Sequence, residues 1–203
     1  AGDLAEAEKQ ANRALRLDPG SVDAHTLLGV IASRRGDVAG AGSHYRRAAE
    51  LGPERGEALN NYGAWLCANG YPAEALVWFD RAVAAPGYGS PSSALANAGG
   101  CALKSGQRER ADRDLRRALD MEPDNAYALA SMAEYQYGQG RYFEARAFVE
   151  RRLAAAPADA SVLQLAASIE DRLGDRVAAS RYQQRLRAEF PQAANTQTGE
   201  GPK

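Results

Sequence analysis

By residue type, four side chains in this sequence could do chemistry: His25, His44, Cys67 and Cys101. Imidazoles act as general bases or metal ligands, and thiols act as nucleophiles, ligands or halves of a disulfide. No third group stands at metal-ligand spacing beside the two histidines. His25 reads as a packing residue on one helix and His44 as the flank of the next. No glycine-rich phosphate loop and no nucleophile elbow occurs. Asp and Glu are scattered, mostly beside Arg at helical spacing, which reads as a solvated helix face. No catalytic, cofactor or metal residue is assigned, no cofactor is implied, and an enzyme reading has nothing to rest on. The cysteines are 34 residues apart. A disulfide and two small buried thiols are both open to them.

The bulk properties narrow the classes further. The chain has 203 residues, is 45% hydrophobic and carries a formal net charge of −1. A nucleic-acid partner would want a basic face, which this balance does not supply. No apolar run approaches the roughly 18 residues of a membrane-spanning helix. Of the 25 basic residues, Lys9, Lys104 and Lys203 are the lysines; the excess of Arg reads as compositional bias, not as a binding signal. No stretch looks like a signal peptide.

The elements that must position these residues are set by a repeat. Gly2, Gly36, Gly70, Gly106, Gly140 and Gly174 are spaced 34, 34, 36, 34 and 34. Ala7, Ala41, Ala75, Ala111, Ala145 and Ala179 keep the same spacing, as do Pro19, Pro53, Pro123, Pro157 and Pro191 with one member missing. Three residue types in one phase are not a chance series. The period and pattern resemble the tetratricopeptide repeat, a helix, a turn and a second helix. Leu28-Gly29, Gly36-Asp37, Ala41, Tyr45, Ala48 and Pro53 carry the likeness in the second repeat. A small residue such as Gly29 lets the second helix approach the first. Tyr45 or its equivalent fills the gap one turn along. The turn glycine takes positive φ, and Ser21, Asn125 and Asp159 stand where helix N-caps belong.

The fold expected is therefore all-α: a tetratricopeptide-repeat solenoid of antiparallel helix hairpins in a right-handed superhelix, with about five and a half repeats. A single array spans 1–191, made of a half repeat over 1–19 and repeats over about 20–53, 54–87, 90–123, 124–157 and 158–191. A polar, disordered tail is expected over 192–203. The half repeat begins at its turn, so Leu4, Ala7, Ala11 and Ala14 are expected to leave an apolar face open, with a preceding helix and a targeting segment in the natural protein. The segment from Pro86 to Pro91 is two residues longer than the other turns and reads either as a stiff loop that alters the local superhelix or, more simply, as a tolerated insertion. The last helix, with Arg176, Arg181, Gln183 and Arg187, is polar enough to cap the array.

The resemblance implies a concave groove lined by the first helices. Its candidate partner-binding residues are Thr26, Val30, Asn60, Ala64, Tyr127, Glu134, Tyr137 and Gln164. No groove position is basic, which disfavours carboxylate-terminated partners of the chaperone kind. A neutral to acidic groove with aromatic patches suits an apolar or basic extended segment.

A narrower resemblance lies over residues 58–106. Asn60-Asn61-Tyr62-Gly63, Leu66-Cys67, Gly70, Glu74-Ala75, Phe79, Ala85-Pro86, Tyr88, Pro91, Asn97-Ala98-Gly99, Cys101 and Gly106 are similar to the type IV pilus biogenesis/stability lipoprotein family, the PilF/PilW pilotins. The resemblance implies a non-enzymatic protein-binding module that assists outer-membrane localisation and oligomerisation of the pilus secretin, its protein partner. It implies the periplasmic face of the outer membrane, reached through a lipid anchor that this chain does not contain, and no nucleic acid. The periplasmic setting it implies favours a Cys67–Cys101 bridge. The alternatives are a generic cytosolic scaffold or co-chaperone, and a repeat array belonging to a larger enzyme.

Overall fold

The computed structural model describes residues 2–195. Among them are twelve helices and no strand: α1 (Gly2–Leu17), α2 (Val22–Arg34), α3 (Val38–Leu51), α4 (Gly56–Ala68), α5 (Pro72–Ala84), α6 (Pro91–Lys104), α7 (Arg108–Met121), α8 (Ala126–Gly138), α9 (Tyr142–Ala155), α10 (Ala160–Leu173), α11 (Arg176–Glu189) and α12 (Pro191–Asn195). Two compact units divide the chain, one ending at Asp114 and the other starting at Leu115.

The helix boundaries follow local chemistry. Ser21, Asn125 and Asp159 cap α2, α8 and α10 by accepting from the backbone N–H three residues on. Asp37 and Asp175 do the same for α3 and α11. Each cap satisfies an N–H that the helix itself leaves unbonded. Within the repeats, the turn glycines from Gly36 to Gly174 adopt φ between 73° and 89°, a region closed to most side chains.

In the first unit α2 packs on α3, and α4 on α5, with α6 against α5. Its core holds Tyr45, Leu59, Tyr62, Leu66, Leu76 and Phe79 among buried alanines. The close approach of paired helices depends on two glycines. A Cβ at Gly29 would stand 2.7 Å from the Tyr45 ring, and one at Gly63 would stand 2.8 Å from Phe79. The longer segment after α5 has a packing role that the sequence reading did not assign. Tyr88 is half-buried, and its ring lies over Gly56 at the start of α4, so close that a Cβ there would clash at 2.3 Å.

On α1 the face of Leu4, Ala7, Ala11 and Ala14 is partly covered. Ala11 is buried, and Leu4, Ala7 and Ala14 are half-buried. That face is partly covered because α1 packs on α2. The apolar side chain left in solvent at this end is Leu17, 81% exposed.

In the second unit α8 packs on α9 and α10 on α11, with α9 against α10. Ala133, Ala145, Val149, Val162, Ala166 and Ile169 form the core. Arg152 occupies a position where an alanine usually stands, and it is buried. Its guanidinium donates to the carbonyls of Ala156 and Pro157 and to Asp159, all within 3.1 Å. One side chain thus ties the end of α9 to the cap of α10. On α11, Arg176, Arg181, Gln183 and Arg187 are exposed. The segment expected to open the tail is helical through Asn195, as α12; residues 196–203 of that expected tail lie outside the described residues.

Candidate functional site

The candidate groove residues divide between the two units. In the first, Thr26 and Val30 lie on α2, and Asn60 and Ala64 on α4. Thr26 Oγ1 donates to the Val22 carbonyl at 2.9 Å, so its hydroxyl is engaged by its own helix. Val30 is half-buried against the core. The Asn60 carbonyl has one of its two acceptor sites engaged, because Asn97 Nδ2 on α6 donates to Asn60 Oδ1 at 3.0 Å. Ala64 lines a hollow of about 360 Å³ with Val38, Tyr45, Asn61, Trp65 and Asn69. Its walls are apolar rings and methyl groups, and its polar groups are amides and hydroxyls with no formal charge. Such a surface accepts an uncharged apolar side chain and can bond a peptide backbone.

Trp65 shapes this hollow. Its indole N–H donates to the Val38 carbonyl at 3.2 Å, and its ring covers Gly42, where a Cβ would meet it at 2.3 Å. The Tyr62 ring stacks beside it, with centroids 6.1 Å apart. A tryptophan held from three sides is a rigid wall.

In the second unit Tyr127, Glu134 and Tyr137 lie on α8 and Gln164 on α10. Tyr127 and Glu134 are exposed, while Tyr137 and Gln164 are half-buried. The Tyr137 ring packs 5.5 Å from that of Tyr142. The Arg172 guanidinium lies over Tyr142, and its pKa is raised, first by its hydrogen bond with Tyr137. A cation therefore stands beside one of the aromatic groove positions, which sequence position alone did not show. In the first unit Asp23, in the first turn of α2, is likewise matched by Arg55, 2.7 Å away.

Two long-range pairs complete the first unit. The Cys67 and Cys101 sulfurs lie at bonding distance, 2.16 Å, with their Cα atoms 5.9 Å apart. They join α4 to α6. His25 and His44, read separately in the sequence, meet across α2 and α3 with their Nδ1 atoms 3.1 Å apart. Among the described residues no group of three or more His, Cys, Asp or Glu side chains could hold a metal ion, and no helix is long and apolar enough to cross a membrane.

Comparison with known proteins agrees with this architecture. Residues 1–55 and 102–169 each match a tetratricopeptide-repeat family model. The type IV pilus assembly protein PilF of Pseudomonas aeruginosa is 25% identical over 190 residues, covering 94% of this chain and 75% of that protein. The crystal structure of PilW, described as a widely conserved type IV pilus biogenesis factor, superposes with a TM-score of 0.85 at 29% identity, over 98% of this chain and 92% of the other. A structure of Pseudomonas aeruginosa PilF gives a TM-score of 0.80 at 24% identity, over 98% and 91% of the two chains, a likeness of fold.

Proposed function

Because the chain belongs to the tetratricopeptide-repeat family and is similar along nearly its whole length to type IV pilus biogenesis factors, we propose that it is itself a type IV pilus biogenesis factor. It acts without catalysis, as a pilotin that binds the pilus secretin and assists its placement and oligomerisation in the outer membrane. The observation that carries this reading is the 29% identity to PilW sustained over 98% of the chain. A shared repeat scaffold alone accounts for the fold, but not for identity at that level over nearly the whole chain.

The groove hollow beside Trp65 is where the partner segment docks in this reading. It is uncharged and walled by rigid rings, so an extended apolar stretch of secretin fits it better than an acidic tail does. In the natural protein a lipid anchor supplies the location at the periplasmic face of the outer membrane, and the repeat array supplies the recognition. An oxidising periplasm keeps a Cys67–Cys101 disulfide closed.

The reading is tested by capture of the purified pilus secretin on the intact protein. Ala64→Arg places a charge in the hollow at a half-buried position on the edge of the core, so the fold of the variant is checked by circular dichroism. Capture is expected to fall at least about tenfold, equivalent to the roughly 1.4 kcal/mol that burying part of an unmatched guanidinium easily exceeds. Undiminished capture by a folded Ala64→Arg protein moves the site elsewhere, and no capture of secretin by the wild type overturns the pilotin reading.

A further inference from the structure

His25 and His44 are the chain's two histidines, and histidine is the side chain whose ordinary pKa puts its charge change between pH 5 and 8. The fold brings both to one point. His25 is on α2 and His44 on α3, and both are half-buried. Their Nδ1 atoms are 3.1 Å apart, while the ring centres are 5.4 Å apart. The difference is about twice the distance from a ring centre to its own nitrogen, so the two nitrogens meet head-on. That contact holds a single proton, one Nδ1 donating and the other accepting with its lone pair. A metal shared by the two rings would need lone pairs converging on a third point, which a head-on contact does not offer.

We propose that the His25–His44 pair is an acid-sensitive pin between the two helices of the second repeat, closed while the pair carries one positive charge or none, and opened when both imidazoles are charged. With no charge, one ring donates and the other accepts. With one added proton, the donor ring is cationic and the bond is charge-assisted. A second added proton removes the acceptor lone pair and sets two like charges against each other.

The surroundings relieve that repulsion only in part. Burial lowers the His44 pKa and the neighbouring His25 adds to the lowering, against the pull of Asp37 at the start of α3. The other carboxylates around this hairpin already hold cations. Glu50 pairs with Arg46 and Arg47 on α3, Asp23 with Arg55 before α4, and Glu8 of α1 with Arg35. From α4 the uncharged Trp65 ring lies over Gly42, two residues before His44. Ser33 of α2 and Tyr45 of α3 line the hollow beside Trp65, so opening the pin between these helices disturbs the groove; this consequence rests on the docking reading proposed above.

The pin is tested by nitrogen-detected NMR of the imidazoles in the whole chain from pH 8 to 4.5, with urea unfolding at the same pH values. Two separate titration steps are expected, because a strongly interacting pair loses its protons one at a time. The folded pair resists the second proton and the unfolded chain does not. Below about pH 6.5 the unfolded state therefore binds more protons, and the unfolding constant rises by up to about tenfold for each pH unit lost. His44→Asn leaves His25 a single step and a shallower slope. His25→Gln gives the same comparison from the other helix should His44→Asn not fold. Both rings titrating together at the ordinary value, or equal slopes in wild type and variant, overturns the pin. Two separated steps with secretin capture unchanged in acid overturns its link to the groove, whereas failure of the wild type to capture secretin at neutral pH bears on the proposed function and not on the pin.

Discussion

Asn97 Nδ2 donates to Asn60 Oδ1 at 3.0 Å, joining α6 to α4 along the same seam where Cys101 meets Cys67. Asn60 lies about two helical turns before Cys67, and Asn97 about one turn before Cys101. An amide bond and a sulfur pair thus fasten neighbouring first helices at two heights. The second fastening closes a loop of 34 residues, which includes the longer segment with Tyr88. Reduction, or Cys67→Ser with Cys101→Ser, is expected to lower unfolding free energy by about 3–4 kcal/mol in the chain-entropy account. Urea unfolding with and without reductant reads this directly. The doubly substituted protein should show no further change on adding reductant.

The first unit's tight hairpin gives a packing prediction. A Cβ at Gly29 would stand 2.7 Å from the Tyr45 ring, so Gly29→Val overfills the contact and is expected to cost about 1–3 kcal/mol. Adding Tyr45→Leu should recover part of the loss, because the two changes share one contact and do not add. Thermal melts of the two single variants and the double variant supply the comparison. Strict additivity would place the strain somewhere other than the ring.

In the second unit the buried Glu170 carboxylate receives two bonds from the Arg146 guanidinium of α9, one of them from Nε at 3.0 Å. Glu170 is 3% exposed. Arg146→Met leaves a carboxylate buried without its cation and is expected to lose about 3–5 kcal/mol. Arg146→Met with Glu170→Leu should be milder than Arg146→Met alone, because the desolvated charge is gone. Chemical denaturation of both proteins distinguishes a buried pair from a surface one, for which either variant would change little.

Asp159 combines a helix cap with a titration. Burial alone would raise its carboxyl pKa, but the hydrogen bonds from Ser161 and from the Val162 N–H, with the Arg152 charge, outweigh it and hold the value low. Asp159→Ala is expected to lose about 1 kcal/mol at neutral pH. A lowered carboxyl stabilises above its unfolded pKa of about 3.9 and loses that contribution as pH falls through its folded value. The gap between wild type and variant should therefore narrow as the pH falls below about 3.9. A gap of constant size across that range would assign the loss to packing instead of the charged cap.

The repeat, its period and the identities of its packing residues were legible from the sequence, because each is a local rule repeated in phase. A small residue at Gly29 or Gly63, an aromatic at Tyr45 or Phe79, a positive-φ glycine and an Asp or Ser cap each act within one hairpin. The structure assigns them the roles expected from type and spacing. The extra length after Pro86 was also visible, but the seating of Tyr88 on Gly56 was not, since nothing in the spacing says which way a longer segment folds back.

What the tertiary structure decided are the relations between hairpins. Asn60 reads in the sequence as a groove residue, and the fold turns it toward Asn97. Arg152 reads as a departure from pattern, and the fold makes it the fastener of the α9–α10 turn. The face of Leu4, Ala7, Ala11 and Ala14 reads as open, and α2 partly covers it. His25 and His44 read as unrelated, and the fold sets them head-on. Residue type and spacing fix a helix and its buried stripe, because those depend on bonds and contacts within a few residues. They do not fix which polar atoms meet across helices 19 or 37 residues apart, because such meetings depend on helix rotation and separation to within an ångström, and only the packed core sets those.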